Sequence, residues 1–159
     1  MLSNDQYPKY TKSIDIWSAG CIFAEMIGRT PLFPGNHYLD QLDRIIAILG
    51  TPQREDLPYS LDEKTWNRLQ LNKLAKMNFS DLYPKIDSLA VDLLENMLLY
   101  NPDKRFTALQ CLYHPYFSEI KDKEKLIVEC KEVFDWSFDK IKYSRASLQE
   151  AIYDEAISF

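Results

Sequence analysis

Near the C-terminal end two carboxylates, Asp135 and Asp139, stand among Phe134, Trp136 and Phe138. These side-chain types at this spacing offer charge and an apolar surface together. That combination could meet a partner that is both cationic and partly apolar. The plainer alternative is a charged tail whose aromatics pack on the body of the protein. Lys140 follows directly and would weaken the grip on a basic peptide. Three cysteines, Cys21, Cys111 and Cys130, have no spacing suited to a metal. The first two fall inside apolar helical patterns. They read as buried reduced thiols, which fits a reducing compartment.

At 159 residues the chain can bury one real core. Its 46% hydrophobic and 27% charged residues are those of an ordinary globular protein. The net charge of −5 argues against nucleic acid or an anionic membrane surface as the main partner. The start shows no secretory pattern and no long apolar run follows, so the expected location is cytosol or nucleus.

Residues 13–28 must position much of the rest. Ile14, Ile16, Trp17, Ala19, Cys21, Ile22, Phe23, Ala24, Met26 and Ile27 cover nearly every direction around a 3.6-residue helix. A helix apolar all round is a buried one, and this one is too short to span a bilayer. Thr11 and Ser13 are candidate N-caps, Asp15 lies in the first turn, and Gly28 can supply a left-handed C-terminal residue.

A tight connector with two prolines, 29–35, leads to Leu39, Leu42, Ile45, Ile46 and Leu49. These mark one face of an amphipathic helix that Asn36 can cap and Gly50-Thr51-Pro52 stops. Residues 52–86 are less regular. Ser60 and Glu63 predict a capping box and a short helix over 61–71. Phe79, Leu82 and Tyr83 can tack a loop onto the body.

A largely apolar helix is expected over 88–98. Thr107 and Gln110 form a second capping-box pattern, closed by His114-Pro115. Residues 118–132 alternate Lys with acids, as a solvated helix or linker does. Ser147 and Glu150 predict a third capping box and a last helix to Ile157. No stretch alternates like a strand, so the fold is read as all-α.

With these elements placed, the motifs cease to be generic. Asp15-Ile-Trp-Ser-Ala-Gly20 with Glu25-Met26 resembles the central helix of the large lobe of eukaryotic protein kinases. Asn101-Pro-Asp-Lys-Arg105 and His114-Pro-Tyr-Phe117 resemble the last two signposts of that lobe. Phe33-Pro-Gly35 with Asp40-Gln-Leu42 narrows the resemblance to the group containing the MAP kinases. Residues 75–98 and the tail from Phe134 to Phe159 are most similar to the stress-activated, osmosensing-type branch.

The resemblance implies the C-terminal half of a kinase large lobe, with a partial kinase domain over 1–117 and the MAP kinase insert at about 52–86. It also implies a C-terminal extension over 118–159 with a docking region and a tail helix. The family activity is ATP-dependent phosphorylation of Ser or Thr before proline, using ATP and magnesium. Such an enzyme needs a Gly-rich loop, a strand lysine, a His-Arg-Asp loop and an Asp-Phe-Gly site.

The glycines here, at 20, 28, 35 and 50, make no Gly-x-Gly. Neither His37 nor His114 lies in a His-Arg-Asp, there is no Asp-Phe-Gly, and no Thr-x-Tyr precedes the central helix. Met1-Leu2 resemble the residues just after an Ala-Pro-Glu. The expectation is a chain inactive by itself, with no cofactor of its own.

The resemblance carries roles to particular residues. Asp15, Trp17, Gly20 and Arg105 would be structural anchors of the kinase fold. Asp15 would hold the catalytic loop, and Arg105 would pair with a glutamate outside this chain. Without those partners, Asp15 should meet solvent or re-pair, and Arg105 should reach water or another acid. Asp135 and Asp139, with Phe134 and Trp136, match the acidic docking region. Through it MAP kinases bind basic motifs of upstream kinases, phosphatases and substrates. Leu39 and Leu42 match one wall of a second, hydrophobic docking pocket. Its expected aromatic is missing, since Asn67 falls nearest and Trp66 is displaced by one; core packing or helix surface is the plainer role. Glu25 reads as structural.

Overall fold

The computed structural model describes residues 11–57, 63–120 and 132–158, the side chain of Phe138 excepted. The described residues are helical and contain no strand, as the sequence pattern requires. The chain divides into two compact units, residues 1–123 and 124–159.

In the first unit, helix α1 (Ser13–Gly28) packs on α5 (Ser88–Met97). Gly20 makes the approach possible. A Cβ there would fall 2.9 Å from Leu98 Cδ2 and 3.1 Å from Met97 Cβ. Ala24, Leu32, Phe33, Leu49, Phe79, Val91, Leu94 and Leu98 form the core beside this seam. Asp87 caps α5 by accepting the Leu89 N–H at 2.7 Å, so the helix starts where its apolar run does.

Helix α1 is buried on one face only. Gly20 and Ala24 are covered, whereas Ile22 and Met26 are 60% and 65% exposed. An all-round apolar pattern thus over-read the burial of this helix. Its ends differ from expectation too. Lys12 stands at the N-cap with no side-chain cap, and the Thr11 and Ser13 hydroxyls bond each other at 2.6 Å instead. Arg29, not Gly28, takes the left-handed conformation (φ 59°) and donates its N–H to Glu25 O. Gly28 is spent on packing, because a Cβ there would meet Tyr83 Cε1 at 2.7 Å.

Helix α2 (Tyr38–Leu49) is capped by His37 rather than Asn36. His37 Nδ1 accepts the Asp40 N–H at 3.3 Å, and the N–H of Asn36, one residue before the cap, donates to Asp40 at 2.8 Å. Gly50 ends α2 as expected, with φ 80° and its N–H on Ile46 O. The segment after α3 (Glu63–Gln70) is pinned along the end of α2. Thr51 and Met77 donate backbone N–H groups to Leu74 O and Ile48 O, and the Thr51 hydroxyl accepts from Leu74 N. The capping box expected at Ser60 lies outside the described residues.

Helix α4 (Phe79–Leu82) buries Phe79 almost completely, so this loop is tacked onto the core. Helix α6 (Ala108–Leu112) opens with the Thr107–Gln110 capping box read from the sequence. Cys21 and Cys111 are half-buried free thiols, less enclosed than expected, and Cys130 lies outside the described residues.

The second unit contains the one-turn helix Ser137–Lys140 and α7 (Arg145–Ile157). Its capping box is Ser144 with Ser147, not Ser147 with Glu150. Two hydroxyls at the right separation exchange the bonds that a Ser and a Glu would have made, so α7 begins two residues before Ser147. Most of the charged 118–132 stretch lies outside the described residues.

Candidate functional site

Three places carry the residues singled out from the sequence. The first surrounds Arg105, which follows the one-turn helix Pro102–Lys104. Its half-buried guanidinium donates from Nε to Leu99 O at 2.7 Å, from Nη1 to Ser13 O at 3.0 Å, and from Nη2 to Tyr100 O at 3.3 Å. It also lies 4.8 Å from the centroid of the Trp17 ring. Trp17 in turn stacks on Phe33 at 5.9 Å. Arg105 therefore staples the first turn of α1 to the connector after α5, ninety-two residues away.

Beyond the water or acid expected for Arg105, the described residues give it these carbonyl and ring contacts. Carbonyl oxygens and an aromatic face take up a delocalised planar cation well. The positive charge is felt nearby: burial pushes the Cys21 thiol up, and Arg105 partly offsets this. Asp15, in the same first turn, is exposed. Its carboxylate meets solvent, one of the two outcomes expected, and has no hydrogen-bond partner among the described residues. Glu25 is exposed as well, and its carbonyl serves the helix end.

The second place is the acidic and aromatic turn. Asp135 Oδ1 accepts the Ser137 N–H at 2.8 Å, and Oδ2 accepts the Ser137 hydroxyl at 2.8 Å. The backbone bond first, then the hydroxyl, holds the Asp135 carboxyl below the ordinary carboxylate range. Phe134 and Trp136 meet edge to face at 4.8 Å, and both are more than half exposed. Asp139 and Lys140 are exposed too. The ionisable Asp135 and the Phe134–Trp136 pair thus lie within one short turn.

The third place is α2. Leu42 lines a surface cavity of about 370 Å³ with Asp43, Ile46, Arg68, Leu71 and Leu74. Leu39 is 38% exposed and does not line it. The two leucines paired in the sequence are thus not brought together at this cavity. Trp66 faces Arg54, whose guanidinium carbon lies 4.6 Å from the ring centroid.

Residues 1–117 match the protein kinase domain family. The chain belongs to that family. Its most similar relatives include extracellular signal-regulated kinase 1 of Dictyostelium discoideum, 40% identical over 95% of this chain and 28% of that protein. Mitogen-activated protein kinase mpk-1 of Caenorhabditis elegans is 43% identical over 92% of the chain and 33% of the relative. Mitogen-activated protein kinase 10 of Arabidopsis thaliana is 40% identical over 94% and 38%. The chain thus spans about a third of the length of these relatives, and corresponds to a MAP kinase fragment.

No group of three His, Cys, Asp or Glu side chains among the described residues stands close enough to bind a metal ion. No helix among the described residues is long and apolar enough to cross a membrane.

Two residues of this kinase segment matter more than the sequence suggested. His114 is 6% exposed, with Nε2 2.8 Å from Asp92 Oδ2 on α5. Its Nδ1 accepts the Tyr116 N–H at 3.2 Å, which places the proton on Nε2, donating to Asp92. Tyr100 donates its hydroxyl to Gly50 O at 2.6 Å, and burial pushes its pKa well up. Both histidines act as caps through Nδ1, a use that ordinary cap preferences do not signal. Each stands directly before a helical turn.

Proposed function

We propose that the chain is part of the large lobe of a MAP kinase-type Ser/Thr kinase of the stress-activated, osmosensing branch. Residues 1–117 form the partial kinase domain and 118–159 a docking extension. The whole protein would phosphorylate Ser or Thr before proline with ATP and magnesium, in the cytoplasm or nucleus. Asp15, Trp17, Gly20 and Arg105 serve as anchors of the lobe, and residues 1–159 by themselves transfer no phosphate.

The observation that carries this reading is the family match over 1–117 in a sequence with no Gly-x-Gly, His-Arg-Asp or Asp-Phe-Gly. The test is an assay of residues 1–159 with ATP, magnesium and a Ser/Thr-Pro substrate. No turnover above a heat-denatured control is expected; measurable turnover would sink the proposal.

A second reading, a non-catalytic docking or decoy module, draws on the turn at 134–139. The exposed Phe134–Trp136 pair beside the ionised Asp135 supports capture of basic, leucine-bearing motifs from upstream kinases, phosphatases or substrates. Calorimetric titration with a Lys/Arg-plus-leucine peptide should show binding that D135A plus D139A weakens at least about tenfold, or ~1.4 kcal/mol. Binding indifferent to that double substitution, or none at all, rules the docking role out.

A further inference from the structure

We draw no further inference here: the strongest candidate, the surface groove between α2 and the segment around α3 lined by Leu42, Ile46, Leu71 and Leu74, is an unpartnered apolar face, and nothing in the structure shows what covers it.

Discussion

The two units are held together in opposite ways. In the first, decisive contacts join residues far apart in the chain. Arg105 reaches Ser13 across ninety-two positions, and Tyr100 reaches Gly50 across fifty. In the second, the hydrogen bonds among described residues are local: Asp135 to Ser137, Ser144 to Ser147, Ser158 to Asp154 and Glu155. Long-range contacts share one core, so damage at one point is felt throughout. Local bonds hold a turn or a helix end and little else. The first unit is therefore cooperative, while the hydrogen bonds described in the proposed docking turn reach only two residues along the chain.

Substitutions can break or sharpen that contrast. The largest effect is expected from L94A. Leu94 is fully buried at the centre of the core, and its loss should cost about 3 kcal/mol of global stability in denaturant unfolding. A cost below about 1 kcal/mol would show that the first unit is not the cooperative body described.

H114A comes next, at about 2 kcal/mol, because it leaves the Tyr116 N–H without its acceptor and removes a buried ring from Phe106. Its effect should appear in the same single unfolding transition as L94A. Separate transitions would divide the first unit.

The smallest effect belongs to acid titration of the 135–137 turn. The folded carboxyl of Asp135 lies below its unfolded value, so its contribution is present above the unfolded pKa and is lost as pH falls through the folded one. The Ser137 amide resonance should shift over that acid range in nuclear magnetic resonance spectra, while the Leu94 amide keeps its position through the same step. A Ser137 amide that ignores the titration would remove the turn from the proposed docking site.

How much of this was legible depended on the reach of each interaction. The Thr107–Gln110 capping box was read correctly because both partners lie within four residues and their side chains name the motif. The α2 stripe was legible from its period, since Ile46 and Leu49 do face the core. Helix α7 was placed with its start late, because a Ser–Ser exchange lacks the glutamate that marks such boxes.

The start and end of α1 failed for a different reason. Gly28 looked like a left-handed residue by type, but the Tyr83 ring, fifty-five positions away in the chain, claims the space its missing Cβ leaves. Likewise the apolar ring around α1 could not say which side meets α5. Nor could any local pattern show that Arg105 would settle over Trp17 with three carbonyls.

The sequence by itself determined the helical class, most element positions and, through six ordered motifs, the kinase family. Those features rest on periodicity, capping chemistry and residue order, all contained in short stretches of chain. Only the tertiary structure decided which face of α1 is covered, that Arg105 reaches back to Ser13, and that His114 binds Asp92 on α5. Each of these depends on which groups the packed fold brings within about 3–4 Å, and no local window of sequence holds both partners.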